Sequence, residues 1–454
     1  MTIINEENKM VTYESLVEQD QAHLLHPLHH PSAHENALIF ESGHGVWMRT
    51  VDGKEVIDGL AGLWNVLIGH GRAELADAAR EQMATLAYCS SYVGSSNVPA
   101  IRLAERLAGF AYPNLNTTFF TSGGAESNES AFKTVRHYWK RLGKPDKVKV
   151  IARTNAYHGI TLASMSATGL SVYWPMFEPR VPNFLHIPAP YDYRFAGDVK
   201  PGETIGQAAA RALEEAILRE GPDTVGAFIA EPVQGAGGVI VPPDDYFPRI
   251  REICDQYNVL FIADEVITGF GRTGEWFALN RWGVQPDIMS FAKGITSGYL
   301  PLGGIQISDE IREVIMNAPA NERWMHAYTY SGHPTCCAVA LANLDILANE
   351  GMVQNAGTMG QRLLDGLNAL AEEFECIGNV RGKGLMAAIE FVGDRATKAP
   401  ANLGEKVRKA AIERGLFTRA IGDTLAFAPP LMISADEIDQ MLQIVGESIA
   451  AVTK

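Results

Sequence analysis

Between about residue 115 and residue 310, short apolar runs alternate with longer stretches whose apolar residues recur every third or fourth position. The short runs lie at 117–121, 148–152, 225–230, 259–263, 287–291 and 304–307. They are rich in Val, Ile and Phe, the composition of strands buried on both faces. The longer stretches at 126–141, 208–220 and 246–257 carry a helical period. Strand and helix in alternation predict an α/β fold: a mostly parallel central sheet with helices on both faces.

After about residue 331 the pattern changes. Helices are expected at 335–349 and 357–374, a strand at 385–391 and a helix at 404–414. A last helix should begin after Ser434, with Glu437 three residues on, as in a capping box. This reads as a smaller α+β C-terminal domain. The first 70 or so residues are mixed, with a hairpin expected at 46–56 that turns at Asp52-Gly53. The organisation predicted is an N-terminal segment, 1–70, packing with the small domain; a large domain, 71–331; and the small domain, 332–454.

Composition narrows the function classes. The chain has 454 residues, 46% of them hydrophobic and 20% charged, which is ample for a large core. The net charge is −15 and Lys and Arg form no long run, so a nucleic-acid role is not expected. Five cysteines, Cys89, Cys254, Cys336, Cys337 and Cys376, include no C-x-x-C pair. That fits a reducing compartment better than a disulfide framework or a zinc site. The first 20 residues are polar and acidic, without the basic start and apolar run of a secretory signal. No apolar stretch approaches the roughly 18 residues of a membrane span. A cytoplasmic protein without a membrane partner is expected.

Four segments carry candidate chemistry. Thr121-Ser122-Gly123-Gly124-Ala125-Glu126 follows a strand and opens a helix. Unpaired N–H groups and the helix dipole favour an anion at such a place, and glycine lets a phosphate approach the backbone. A plain tight turn is the other reading. Asp264 ends the strand 259–263, where open α/β sheets bind ligands, and a carboxylate there can hold the ring nitrogen of a pyridine cofactor protonated. A capping or salt-bridging carboxylate is the commoner use of a lone Asp. Lys293 follows the strand 287–291 among small and apolar neighbours, a setting that depresses an amine pKa and makes it a nucleophile and base. An exposed loop lysine is the alternative. Tyr157, in Tyr157-His158-Gly159, either stacks on a flat cofactor or packs at the strand end.

Taken in order, SGGAES, AYHG, EPVQGAGG, IADEVITGFGRTG, SFAKGITSGYLPLGG and YTYSGHP resemble the class III aminotransferases. These are pyridoxal 5′-phosphate (PLP) enzymes of fold type I, and the resemblance runs from about Pro27 to the C-terminus. It implies that Lys293 carries PLP as a Schiff base and moves the proton between substrate carbon and cofactor. Asp264 would pair with the pyridinium nitrogen, and Val266 would lie against the ring. Gly124 and Ala125 would give backbone N–H groups to the phosphate; where the family often has Ser or Thr, Ala125 supplies no hydroxyl. Tyr157 would stack on the other ring face, with His158 beside it in the cofactor site and Glu231 of EPVQG in a supporting role. Thr329 of YTYSGHP would reach the phosphate of a neighbouring subunit, implying a homodimer or homotetramer with shared active sites.

The substrate is read from three further places. His333-Pro334 stands where the ornithine and acetylornithine branches usually show Asn-Pro, which points to the ω-amino acid/amine:pyruvate branch. Trp64 in AGLWNVLIGHG resembles the pocket tryptophan of ω-transaminases, although a core tryptophan is also an ordinary reading. Arg419 in LFTRAIGDTLAFAPPL stands where this branch keeps a mobile arginine. A guanidinium binds a carboxylate through two parallel hydrogen bonds, as pyruvate or alanine would require. The expected reaction is a ping-pong transfer from a primary amine or ω-amino acid to pyruvate. The rivals are a relative using 2-oxoglutarate, an aminomutase and a decarboxylating relative. A nucleotide-binding oxidoreductase is a rival from another class, but Gly235 to Gly238 lack the spacing of a dinucleotide loop. His23, His26, His29, His30 and His34 match no standard metal spacing, and no metal is expected.

Overall fold

The computed structural model describes residues 12–28, 30 and 38–453. Its centre is a seven-stranded sheet. In chain order the strands are β1 (Leu115–Thr121), β2 (Lys149–Arg153), β3 (Phe184–Ile187), β4 (Val225–Ala230), β5 (Leu260–Asp264), β6 (Ile288–Phe291) and β7 (Gly303–Ser308). Their order across the sheet is β1-β7-β6-β5-β4-β2-β3. Parallel pairing joins β3, β2, β4, β5 and β6, while β7 runs antiparallel to both β6 and β1. Strands β4, β5, β6 and β7 are buried at every residue, as their near-continuous apolar runs predict.

Six strands coincide with the sequence expectations to within two residues at each end. The seventh, β3, was not foreseen. It is an edge strand of four residues, FLHI, only one of them fully buried, so it carries too little apolar pattern to be read. The helices Gly124–Arg141, Ile205–Glu220 and Tyr246–Gln256 lie where they were expected. The helix expected from 357 instead begins at Met352, because a glycine inside an otherwise periodic run is tolerated. Ser434 and Glu437 cap the helix Ala435–Thr453 reciprocally: Ser434 N–H donates to the Glu437 carboxylate at 2.8 Å, and Glu437 N–H donates to Ser434 Oγ at 3.3 Å.

The C-terminal part carries its own antiparallel sheet, ordered Ile377–Gly382, Ala387–Asp394, Thr424–Phe427, Arg419–Ile421. The N-terminal strands Trp47–Thr50 and Glu55–Asp58 form the expected hairpin, with Gly53 at φ +85° in its turn. Leu416–Phe417 pairs in parallel with Ile57 and Asp58, so the N-terminal strands share a sheet with the C-terminal part. No single described helix is long and apolar enough to cross a membrane.

One buried network fixes the turn after β5. The Glu265 carboxyl is fully buried and accepts hydrogen bonds from the hydroxyls of Tyr112 and Thr268 and from Leu279 N–H. Burial pushes its pKa up. Replacing Tyr112 by Phe leaves a buried carboxyl short of one donor, so the protein should lose about 1–3 kcal/mol of stability. Denaturant titration of the purified variant checks this.

Candidate active site

The carboxyl ends of β1, β2, β4, β5 and β6 all point to one edge of the sheet, where open α/β sheets bind ligands. A cavity of about 470 Å³ opens there. It is lined by residues that directly follow those strands: Gly124 and Ala125 after β1, Tyr157 and His158 after β2, Glu231 after β4, Asp264 and Val266 at β5, and Lys293 after β6. Trp64 and Arg419 reach the same cavity from the N-terminal and C-terminal parts.

Each side chain is placed by a local cause. The helix Gly124–Arg141 starts without a side-chain cap on its first N–H groups, which leaves them for a ligand anion. At Gly124 a Cβ would come within 2.9 Å of the Val266 side chain, so glycine alone lets the helix start sit against Val266. At Gly159, with φ +114°, a Cβ would lie 2.9 Å from the Ala125 backbone. The Tyr157-His158-Gly159 turn therefore packs directly on the helix start. Tyr157 faces the cavity, held by its N–H, which donates to Glu231 Oε1 at 2.9 Å, and by an edge-on contact with Tyr173.

Asp264 is 3% exposed, and both of its carboxylate oxygens are engaged. Oδ2 accepts from His158 Nδ1 at 2.7 Å and from Asn128 Nδ2 at 2.8 Å, and Oδ1 accepts from Val266 N–H at 3.1 Å. Glu231 is also buried; its Oε2 accepts from Gly235 N–H at 2.9 Å, and burial, reinforced by Asp264, pushes its pKa up. Lys293 adopts φ +44°, a left-handed conformation that costs a residue with a side chain about 1–3 kcal/mol and recurs at functional sites. Burial lowers its pKa to about 8, opposed by the charges of Asp264 and Glu231.

Trp64 is 1% exposed and belongs to an apolar cluster with Leu60, Val233 and Ile267, yet it lines the cavity as well, so both sequence readings describe it. Arg419 is half-buried and forms no ion pair with a carboxylate among the described residues. Thr329 stands apart: it is exposed and outside this cavity, and its carbonyl accepts from the Tyr88 hydroxyl at 2.9 Å. Sequence reasoning missed Asn128 and Tyr173. Asn128 follows Gly124 by four positions, so the helical period puts it on the same face. Tyr173 ends a three-residue 3-10 helix, Ser171–Tyr173, too short for a periodic signal. Leu28 of the His-rich arm also lines the cavity, whereas His29 and His34 lie outside the described residues. Among the described residues, no group of three or more His, Cys, Asp or Glu is placed to hold a metal.

The donor set fits a phosphorylated pyridine aldehyde. Uncapped N–H groups suit the phosphate, a carboxylate with its charge held by fixed donors suits a protonated ring nitrogen, and an amine of lowered pKa suits the aldehyde carbon. Fold and site together define a PLP-dependent enzyme of fold type I. Residues 29–449 match the family model described as aminotransferase class-III, and the chain belongs to that family.

Two solved structures illustrate the likeness. A thermostable (S)-enantioselective ω-transaminase from Thermomicrobium roseum is 48% identical, with a TM-score of 0.94 over 98% of this chain and 100% of that one. An ω-transaminase from Pseudomonas jessenii, solved in complex with PMP, is 41% identical, with a TM-score of 0.93 over 97% of this chain and 98% of that one. Two curated relatives are the putrescine–pyruvate aminotransferase of Pseudomonas aeruginosa and the diaminobutyrate–2-oxoglutarate transaminase of Halomonas elongata. The first is 41% identical over 90% of each chain. The second is 39% identical over 98% of this chain and 97% of its own.

The lowered pKa of Lys293 has a kinetic consequence. Only the unprotonated amine attacks an aldehyde, so capture of PLP by the cofactor-free protein should speed up as pH rises through about 8 and level off above it. Stopped-flow absorbance of the bound cofactor measures the profile. The Lys293→Ala variant should show neither the covalent absorption band nor turnover.

Proposed function

We propose that this aminotransferase moves an amino group from a primary amine or ω-amino acid to pyruvate, giving alanine and a ketone or aldehyde. The observation that carries the proposal is Arg419, a guanidinium in the cavity with no carboxylate partner among the described residues. It is near enough to bear on the titration of Lys293. A small keto acid brings the carboxylate that this cation lacks. The ω-transaminase structures and the pyruvate-using relative support the same assignment.

Bound PLP supplies an electron-withdrawing pyridinium ring that stabilises negative charge on the substrate carbon. The chain's residues do the rest. Gly124 and Ala125 bind the phosphate through backbone N–H groups. Asp264 holds the proton of the ring nitrogen, and Val266 and Tyr157 enclose the ring. Lys293 takes the proton from the carbon bearing nitrogen and returns it one position away. Trp64 shapes the amine side of the cavity. Arg419 binds the carboxylate of pyruvate and turns aside when an apolar amine occupies its place, since an apolar group packed on it would strip water from an unpaired charge.

The active enzyme is proposed to be at least a homodimer, with Thr329 serving a neighbouring subunit. Thr329 lies beside an exposed apolar surface built from two segments. Tyr88, Tyr92, Val93, Val98 and Ile101 stand on one and Met325 and Tyr330 on the other. Asn97 Nδ2 donating to Gly332 O at 2.8 Å and the Tyr88–Tyr330 ring contact join the two. Exposed apolar side chains gathered on two joined segments support a subunit interface there. A second acceptor, 2-oxoglutarate, has the support of the Halomonas relative.

Half-reaction spectra test the donor and the acceptor. β-Alanine, a diamine, taurine and 1-phenylethylamine are added separately to the PLP-loaded enzyme. At least one should bleach the cofactor band, and pyruvate should restore it faster than 2-oxoglutarate. Restoration by 2-oxoglutarate alone would transfer the protein to the other branch. In the Arg419→Ala variant, loss of charge-assisted hydrogen bonds of about 1.5–3 kcal/mol should raise KM for pyruvate about 10- to 150-fold. The half-reaction with 1-phenylethylamine should change by less than about threefold, because that donor has no carboxylate.

A further inference from the structure

Asn128 stands one helical turn beyond Gly124 and is 1% exposed. Its Nδ2 donates to the backbone carbonyl of His158 at 2.8 Å and to Oδ2 of Asp264 at 2.8 Å. Both partners only accept, so they fix which end of the carboxamide faces them. The carboxamide oxygen is buried without a partner, so what this side chain contributes is its two donated bonds.

These bonds join three parts of the cavity. The helix that carries Asn128 also carries the uncapped N–H groups of its first turn. His158 belongs to the turn that presents Tyr157. Asp264 ends the central strand β5. Oδ2 of Asp264 is taken by two short side-chain bonds, from Asn128 and His158, whereas Oδ1 has only the longer bond from Val266 N–H. The carboxylate cannot rotate without breaking both short bonds, and Oδ1 is the oxygen with capacity to spare.

We propose that Asn128 is a positioning residue for the cofactor: it registers the phosphate-binding helix start against Asp264 and presents Oδ1 of Asp264 to the ring nitrogen. Asn128 touches neither the substrate nor the carbon that reacts; it acts through Asp264. The inference rests on PLP as the cofactor and not on pyruvate as the acceptor.

The test compares two ligands on the cofactor-free protein: PLP, and its deaza analogue in which C–H replaces the ring nitrogen. Affinities are read from the absorbance of the bound ligand in wild type and in Asn128→Ala. Losing one hydrogen bond to a charged group should weaken PLP about tenfold and shift its absorption maximum, while the analogue should bind within about twofold of wild type. Asn128→Ser, which retains one donor, should fall between. Equal weakening of both ligands would show that Asn128 only shapes the pocket, and no weakening of either would show that it plays no part; each result overturns the proposal. If the alanine variant fails to fold by circular dichroism, the same ratio in Asn128→Ser decides. No acceptor enters the measurement, so an error in the acceptor assignment leaves the result intact.

Discussion

A carboxylate taken out of water at the end of a central strand is strongly disfavoured unless its oxygens find donors, and Asp264 is 3% exposed. The structure meets that demand with His158, Asn128 and the N–H of Val266. Those three donors come from the turn after β2, from the helix after β1 and from the turn after β5 itself. Satisfying one charge therefore locks three separate segments into a single geometry. The turn that carries Tyr157 cannot move without breaking the contacts of His158. The helix start with its uncapped N–H groups cannot move without carrying Asn128 away from Asp264.

Charge balance in the cavity follows from the same burial. Lys293 faces two carboxyl groups, Asp264 and Glu231, and one further cation, Arg419. Desolvation wins over the two carboxylates and brings the amine to about 8. An amine at that value is about half unprotonated near pH 8, which suits the nucleophile and base proposed for Lys293. Glu231 moves the other way: its burial favours the neutral form, and it spends both oxygens on the N–H groups of Tyr157 and Gly235. Two carboxyl groups in one cavity are thus set to different tasks by their surroundings. Glu231 binds two backbone N–H groups, whereas Asp264 binds two side chains and one backbone N–H.

The sheet's topology explains why five loops converge. Six strands, β1 to β6, run in one direction and place their carboxyl ends along one edge, and the loops after five of them, β1, β2, β4, β5 and β6, line the cavity. The reversed strand β7 interrupts this series between β6 and β1. The N-terminal and C-terminal parts close the cavity from outside the sheet, contributing Leu28, Trp64 and Arg419. Part of the cavity wall is thereby built on segments remote in sequence from Lys293 and from the central sheet.

The sequence by itself determined the strands buried on both faces, because a run such as Val225–Ala230 leaves no polar alternation for solvent. It also determined the capping of the last helix and the order of motifs that places Gly124, Asp264 and Lys293 at the carboxyl ends of β1, β5 and β6, since these are local patterns. It left β3 unread, an edge strand too short for periodicity to register. Whether Trp64 was core or pocket had no local answer either, because both depend on what Val233 and Ile267 do far along the chain. Only the tertiary structure decided that Asn128 and His158 share one oxygen of Asp264 and that Arg419 enters the cavity with no carboxylate beside it among the described residues. The physical reason is range: periodicity and capping are settled within a few residues, whereas meeting a buried charge joins side chains more than 100 positions apart.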